Sequence, residues 1–200
     1  TKRTLDDPTN TSQHPPPQHR DSINILMSYN IKIFTPDSRY VITGNDDGVI
    51  SVWNCSERKM YLVASYALQE PWNEPGYESL IPNPNKDVTV TALSITPNGE
   101  NIAVGTNCGS IHIINFQDEI LTFKKRLVHN VSNCTVHNVH NIAMSNDCSI
   151  IITVYMDSHR MYIWKQNDGN IISQSILKNV LDIDLTSDGN TAFILKKHEN

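Results

Sequence analysis

The sequence is poor in the features that define membrane, fibrous and disulfide-stabilised proteins. Its apolar runs are too short to cross a bilayer. It has only 4 cysteines in 200 residues, none of them in a CxxC pair, and only 8 glycines. No stretch repeats apolar residues at the spacing of an amphipathic helix. These shortages exclude a membrane span, a small disulfide framework, a collagen and a coiled coil.

Charge is also scarce. Charged residues make up 18% of the chain and the net charge is −5, which gives no reason to expect a broad nucleic-acid-binding face. No charged and then apolar leader with a cleavage site is visible. Together with the sparse cysteines, this leads us to expect reduced thiols and an intracellular location, in the nucleus or the cytoplasm.

Signatures of catalysis are missing as well. The sequence has no GxSxG elbow, P-loop, HExxH helix or glycine-rich dinucleotide turn. We therefore expect a protein that is not an enzyme and that holds no cofactor and no metal.

The first 22 residues differ in amino-acid composition from the rest of the chain. Residues 1–22 contain one leucine as their only large apolar residue, and three successive prolines at positions 15–17. Such a segment buries too little apolar surface to offset its ordering entropy. We expect a Pro-rich tail or linker. A ligand for a proline-recognition domain is the alternative.

From residue 23 onward, short runs alternate apolar and polar residues and are separated by turn residues, which predicts strands and hairpins. One turn sequence recurs, as Thr-Pro-Asp-Ser, Thr-Pro-Asn-Gly, Ser-Asn-Asp-Cys and Thr-Ser-Asp-Gly. The copies begin at Thr35, Thr96, Ser145 and Thr186, which lie 61, 49 and 41 residues apart. The last interval is close to that of a four-stranded blade, and the longer ones indicate insertions.

The segment 41–54, VITGNDDGVISVWN, resembles the core of a WD40 repeat. The resemblance implies a brace in which Thr43, Asp47 and Trp53 are linked by hydrogen bonds to a loop histidine. Thr153, Asp157 and Trp164 recur in the third copy, with one extra residue in the turn. The second copy departs from the pattern, because Cys108 replaces the turn aspartate and Ile114 replaces the tryptophan.

The resemblance covers residues 24–196 and implies an all-β, WD40-like β-propeller of four-stranded antiparallel blades. About three and a half blades fit into residues 23–200, so we expect an incomplete ring. Open sheet edges invite aggregation. We therefore expect the ring to be completed by the rest of a longer chain or by a partner.

An insertion at residues 70–86 carries four prolines, which exclude a central strand. We expect it on the same face as the Asp47 turn. Trp72 and Tyr77 are candidate anchors for a protein partner, because aromatic side chains dominate interface hot spots. Glu70 and Glu74 predict a neutral or basic partner. The alternative is a loop that folds back and buries its own aromatics.

Two further clusters have competing interpretations. His129, Cys134, His137 and His140 have spacings that could surround zinc, but they lack paired short knuckles, and a loop histidine before an inner strand explains His137 or His140. The basic run Lys124, Lys125 and Arg126 is interpreted first as protection of an edge strand. A phosphate contact is the alternative.

These observations favour a non-catalytic scaffold that mediates protein–protein interactions in a large assembly of several subunits. The alternative is a propeller module that contacts RNA or DNA inside a ribonucleoprotein or chromatin complex.

Overall fold

The structure, a computed structural model, describes residues 31–57, 60–69, 88–128, 138–155, 158–167 and 169–197. Every regular element in these residues is a strand. The strands are β1 (Ile31–Phe34), β2 (Tyr40–Gly44), β3 (Val49–Asn54), β4 (Tyr61–Ala67), β5 (Val90–Ile95), β6 (Asn101–Thr106), β7 (Ser110–Gln117), β8 (Ile120–Val128), β9 (Val139–Met144), β10 (Ile150–Tyr155), β11 (Arg160–Lys165), β12 (Asn170–Ile176), β13 (Val180–Leu185) and β14 (Ala192–Lys196).

Consecutive strands pair into antiparallel sheets, which we call blades 1 to 4. Strands β1–β4, β5–β8 and β9–β12 form three four-stranded blades, and β13–β14 form a half-blade. The first strands of successive blades contact one another, β1 with β5, β5 with β9 and β9 with β13. The blades therefore follow one another along an open arc. This arrangement confirms the predicted all-β propeller with an incomplete ring.

The two strands on either side of the first insertion begin slightly later than the sequence pattern predicts. The alternation of apolar and polar residues predicts strands at about 59–66 and about 88–95, and the last strand of blade 1 and the first strand of blade 2 lie at Tyr61–Ala67 and Val90–Ile95. Residues 1–22 and 70–86 lie outside the described residues, so the tail and the insertion remain predictions. Within the described part of the chain, no helix is long and apolar enough to cross a membrane.

Apolar side chains fill the spaces between neighbouring blades. Ile42, Val90 and Ile102 belong to a cluster between blades 1 and 2, and Ile111, Val139 and Trp164 belong to one between blades 2 and 3. A third cluster joins Val154 to Val180 between blades 3 and 4. Because each blade has too little apolar surface on its own, the contacts between blades supply the core.

The recurring turn sequence has one hydrogen-bonding pattern. In blade 1, the Thr35 hydroxyl donates to Asp37 Oδ1 (2.6 Å) and accepts from the Tyr40 backbone N–H (3.0 Å). Asp37 Oδ1 also accepts from the Arg39 N–H (3.0 Å). The same bonds recur in the turns that begin at Thr96, Ser145 and Thr186.

The fourth residue of each turn adopts a left-handed backbone conformation. Ser38 and Cys148 have φ of 58° and 59°, and Gly99 and Gly189 have φ of 77° and 73°. The turn therefore needs a hydroxyl, then a side-chain acceptor two residues later, then a residue that tolerates positive φ. This requirement explains why the sequence repeat is visible although the strands around it differ.

These turns predict an acid-sensitive contribution to stability. Hydrogen bonds from Thr35 and from the Ser149 backbone lower the pKa of Asp37 and Asp147 respectively, and the bond from Thr186 lowers the pKa of Asp188 to about 2. The unfolded value is about 3.9. The unfolded chain therefore binds these protons at higher pH. The contribution is complete above about pH 4 and is lost as the pH falls towards 2.

Blade 2 supplies the control, because Asn98 makes the same hydrogen bonds without a charge. We expect the triple variant Asp37→Asn/Asp147→Asn/Asp188→Asn to be less stable than the wild type at pH 7, because asparagine accepts the same hydrogen bonds without the charge that strengthens them. Between about pH 4 and 2, its free energy of unfolding in urea should fall less steeply than that of the wild type. Parallel pH profiles would contradict the assignment of this acid sensitivity to the turns.

Candidate functional site

The predicted brace residues of blade 1 are brought together only in part. Trp53 is buried, and its indole N–H donates to the Thr43 hydroxyl (3.0 Å) across β2 and β3. The Asp47 side chain is exposed, and no hydrogen bond joins its carboxylate to this pair. Asn45 closes the turn instead, since its Oδ1 accepts from the backbone N–H groups of Asp47 (3.1 Å) and Val49 (2.8 Å). Within the described residues Asp47 does not join the Thr43–Trp53 pair, and its role in the brace stays a prediction.

Blade 3 contains the same indole–hydroxyl pair. Trp164 is 1% exposed, and its indole N–H donates to Thr153 Oγ1 (2.8 Å). Asp157, the third predicted member, lies outside the described residues. Burial of an indole N–H requires an acceptor, and the strand-borne threonine provides it.

Blade 2 has a brace that the sequence did not reveal. Thr106, Ser110 and His112 are all buried. The two hydroxyls lie 2.8 Å apart, and Ser110 Oγ lies 3.0 Å from His112 Nε2. This chain of polar groups joins the ends of β6 and β7, where Ile114 has replaced the tryptophan. The signal was an alternating Ser-x-His at the start of a strand, which by itself does not distinguish a buried brace from a solvated face.

One end of the arc carries the β2–β3 turn at 45–48 and the equivalent turns of the other blades, and we call it the hairpin face. The described residues that flank the insertion lie beside this turn. The Leu68 N–H donates to Gly48 O (2.9 Å), and the Val90 N–H donates to Asn45 O (3.0 Å). Thr89 Oγ1 also donates to Asp46 O (3.1 Å). Both flanks of the insertion therefore start from the hairpin face.

The candidate anchors themselves, Trp72, Tyr77, Glu70 and Glu74, lie outside the described residues. Their assignment to a partner-binding loop stays a prediction, and so does its alternative, a loop that buries its own aromatics.

The basic run lies on β8, the outermost strand of blade 2, and makes contacts within the protein. Lys124 Nζ donates to Asn101 Oδ1 (2.8 Å). Lys125 Nζ donates to the backbone oxygens of Gln166 (2.7 Å) and Asn167 (3.0 Å), which tie blade 2 to blade 3. Arg126 donates to the Gln69 carbonyl oxygen at 3.4 Å. These contacts give all three side chains a structural role on the rim.

Metal-ligating residues are not clustered in the part of the chain that the structure describes. Of the four residues considered for zinc, only His140 falls within it, on β9. Cys55, Cys108 and Cys148 are free thiols. Burial raises the pKa of Cys148 to about 11, so this thiol is protonated at neutral pH and is a poor nucleophile.

The opposite end of the arc carries the four hydroxyl-containing turns, and we call it the hydroxyl-turn face. A groove of about 490 Å³ lies there between blades 1 and 2. Tyr40 and Phe116 are buried side chains that line it, with ring centroids 5.2 Å apart in an edge-to-face arrangement. Three turns surround them, the hydroxyl-containing turns of blades 1 and 2 and the β7–β8 turn.

Charged side chains on these turns make the groove acidic. Four carboxylates and one guanidinium line it, from Asp37, Glu100, Asp118, Glu119 and Arg39. The Tyr40 hydroxyl donates to Glu119 Oε1 (2.9 Å) and so joins the two blades. Burial and this hydrogen bond raise the pKa of Tyr40, which keeps the hydroxyl protonated at neutral pH.

Comparisons with known proteins agree with this architecture. The family model of the WD domain, G-beta repeat, matches residues 12–54. No curated protein sequence matches the chain. Among the many solved chains that match is the β-propeller domain of Cps50 (Swd1) from Myceliophteria thermophila, with a TM-score of 0.60 at 14% sequence identity.

That match covers 82% of this chain and 49% of the solved chain, so the present chain spans about half the length of that domain. At this level of identity the likeness concerns the fold. WD40 propellers are generally interaction modules without catalytic activity. Residues 12–54 thus match a WD40 repeat, and the shared architecture shows that the chain has the fold of a partial β-propeller.

Proposed function

We propose that this chain is a non-catalytic, intracellular scaffold subunit that docks other proteins within a large assembly, and that its principal partner-binding element is the insertion at 70–86. The observation that carries the proposal is that both flanks of the insertion are hydrogen bonded to the same turn on the hairpin face, Leu68 to Gly48 and Val90 to Asn45. A segment that starts and ends on one rigid turn can present side chains without disturbing the sheets beneath it.

The blades below supply the rigidity that such docking needs. Thr89 and Asn107 exchange hydrogen bonds within blade 2, through the Thr89 N–H to Asn107 Oδ1 (2.9 Å) and the Asn107 N–H to Thr89 O (3.0 Å). The Thr89 hydroxyl donates to Asp46 O (3.1 Å), which joins blade 2 to blade 1. The buried Tyr155 hydroxyl donates to Gly109 O (3.0 Å) and joins blade 3 to blade 2. These links between turns hold the hairpin face together, which lowers the ordering cost of binding.

The composition of the insertion determines the partner it suits. Trp72 and Tyr77 provide apolar area with few rotatable bonds, and four prolines restrict the backbone around them. Glu70 and Glu74 add negative charge, so a neutral or basic protein surface fits best. Association should therefore slow as salt is added.

The test is the double variant Trp72→Ala/Tyr77→Ala in the full chain. Burial of two aromatic side chains at about 25 cal/mol per Å² provides several kcal/mol before association costs. We expect the variant to lose at least about 2 kcal/mol of affinity for the neighbouring subunits, measured by quantitative co-purification after nuclease treatment.

Phe123→Ala serves as the matched control, because this aromatic residue is 43% exposed on β8, an outer strand on the rim. It should leave capture unchanged. Undiminished capture by the folded double variant would assign docking to the rim or to the hydroxyl-turn face. Loss of partners from the wild type upon nuclease treatment would favour a nucleic-acid-dependent association instead.

A further inference from the structure

The groove on the hydroxyl-turn face lies opposite to the described flanks of the insertion and belongs to none of the braces. Its floor is aromatic and fixed, because Tyr40 and Phe116 are 7% and 8% exposed and pack edge to face. Its upper edge is polar and accessible, because the side chains of Asp118, Glu119 and Glu100 are exposed. An aromatic floor beneath carboxylates suits a ligand that is both flat and positively charged.

The chain places one such group in the groove. The guanidinium carbon of Arg39 lies 5.3 Å from the centroid of the Tyr40 ring. Its Nη2 donates to the Tyr40 hydroxyl at 3.4 Å, and its Nε lies 4.0 Å from Asp37 Oδ2. These contacts are long and the Arg39 side chain is 59% exposed, so the internal guanidinium is held loosely.

Arg39 neutralises one of four carboxylates. The remaining negative charge is concentrated where blade 2 contributes Glu100, Asp118 and Glu119. Asn98 donates to Glu100 (3.1 Å) and Tyr40 donates to Glu119, but neither donor carries a positive charge. The blade 2 side of the groove therefore carries negative charge that no cation among the described lining residues neutralises, and a bound cation could neutralise it.

We propose that this groove docks an arginine-bearing segment of a partner protein, with the guanidinium between Tyr40 and the carboxylates of the β7–β8 turn. The proposal deepens the scaffold function and rests on it, while naming a second surface on the face opposite to the described flanks of the insertion. Arginine suits the groove better than lysine, because its planar group stacks on an aromatic ring and bonds carboxylates in pairs.

Other occupants fit the groove less well. The phosphates of a nucleic acid would face three exposed carboxylates and be repelled. A purely apolar segment would bury those carboxylates without a counter-charge, which is costly. A lysine would satisfy the charge but would lose the stacking and the paired hydrogen bonds.

The experiment titrates the full chain with a fluorescent, end-blocked pentapeptide Gly-Arg-Gly-Arg-Gly and measures the Kd by fluorescence anisotropy at low salt. A citrulline peptide of the same shape lacks the charge, and a lysine peptide lacks the planar group. We expect the citrulline peptide to bind at least about tenfold more weakly, and the lysine peptide about threefold more weakly. Equal Kd values for the arginine and citrulline peptides would overturn the proposal.

Two conservative variants locate the site. Asp118→Asn suits the left-handed backbone at this position (φ 50°), and Glu119→Gln keeps an acceptor for the Tyr40 hydroxyl. Together they should weaken binding of the arginine peptide at least about fivefold. Asp46→Asn removes an exposed carboxylate from the hairpin face and should leave the Kd unchanged. An equal loss in Asp46→Asn would show general charge attraction and contradict the assignment to the groove.

Removal of the internal guanidinium gives a prediction of opposite sign. Arg39→Gln should tighten binding of the arginine peptide, because it removes the guanidinium that lies over the Tyr40 ring and near the Asp37 carboxylate. Lys196→Gln, which removes an exposed positive charge on the half-blade, changes the net charge equally and should have less effect. Equal tightening in both variants would mean that only net charge matters.

The two docking surfaces can fail separately. The insertion variant Trp72→Ala/Tyr77→Ala should bind the arginine peptide with the wild-type Kd. If the groove variants bind the peptide like the wild type while the insertion variant still loses the neighbouring subunits, the groove proposal fails and the scaffold function stands.

Discussion

Replacing Trp164 with alanine should lower the free energy of unfolding by about 3–5 kcal/mol, as expected for loss of a large, fully buried aromatic side chain. Trp164 is 1% exposed, and its ring lies 6.2 Å from that of Tyr162 in the core between blades 2 and 3. The indole N–H is also bonded to Thr153 Oγ1. The measurement is urea unfolding monitored by far-UV circular dichroism.

Thr153→Val separates the hydrogen bond from the packing. It keeps the size of the side chain while removing the acceptor that lies 2.8 Å from the indole nitrogen. We expect a loss of about 1–3 kcal/mol, because a buried donor then loses this partner. Trp72→Ala, in the insertion, should cost much less than Trp164→Ala. A larger cost for Trp72→Ala would show that the insertion is part of the core.

Gly105→Ala should destabilise the protein by at least about 1–3 kcal/mol through overpacking between blades. A Cβ atom at this position would lie 2.5 Å from Val139 Cγ1 and 2.7 Å from Val139 Cβ, on the first strand of blade 3. Gly44 stands in the same relation to Val90, because a Cβ atom at position 44 would overlap Val90 Cγ1 and Cβ. Glycine is required at both positions, because the next blade lies so close to the backbone that a Cβ atom would overlap it.

The matched test is compensation. Val139→Gly alone creates a cavity, but combined with Gly105→Ala it removes both Val139 atoms, Cγ1 and Cβ, that the added methyl group would overlap. The double variant should therefore be more stable than the sum of the two single losses predicts. Gly44→Ala with Val90→Gly should behave in the same way. Additive losses in both pairs would contradict the close approach of neighbouring blades.

The blade arrangement could be predicted from the sequence because its turns obey a local rule. A hydroxyl at Thr35 and an acceptor at Asp37 form their bonds within six residues, so the pattern survives wherever the turn survives. Trp53 and Trp164 could be predicted as brace residues, since each lies near the end of an alternating strand that follows a tight hairpin turn.

The brace residues could be predicted less well, because neighbouring side chains compete for one role. Asn45 and Asp47 both lie in the β2–β3 turn, and either could accept backbone N–H groups. Asn45 does so because it precedes the two N–H groups by two and four residues. In blade 2, the hydrogen-bonded set Thr106, Ser110 and His112 stands in place of the indole–hydroxyl pair. A single sequence does not show that these three residues belong together.

The groove could not be predicted at all. Its floor combines Tyr40 of blade 1 with Phe116 of blade 2, which are far apart in the sequence and meet only when the blades pack. Arg39 and Glu119 looked like ordinary turn residues for the same reason. Tertiary packing, not local pattern, determines which charged side chains share a surface.

Hydrogen–deuterium exchange of the full chain, alone and bound to its co-purifying subunits, tests the docking account most directly. We predict that binding slows exchange in peptides that cover the insertion at 70–86 and the turn at 45–48, and in those that cover the groove turns at 35–39 and 117–120. Exchange along the outer strands β8 and β12 should not change. Protection confined to those rim strands, with both faces unaffected, would contradict the account.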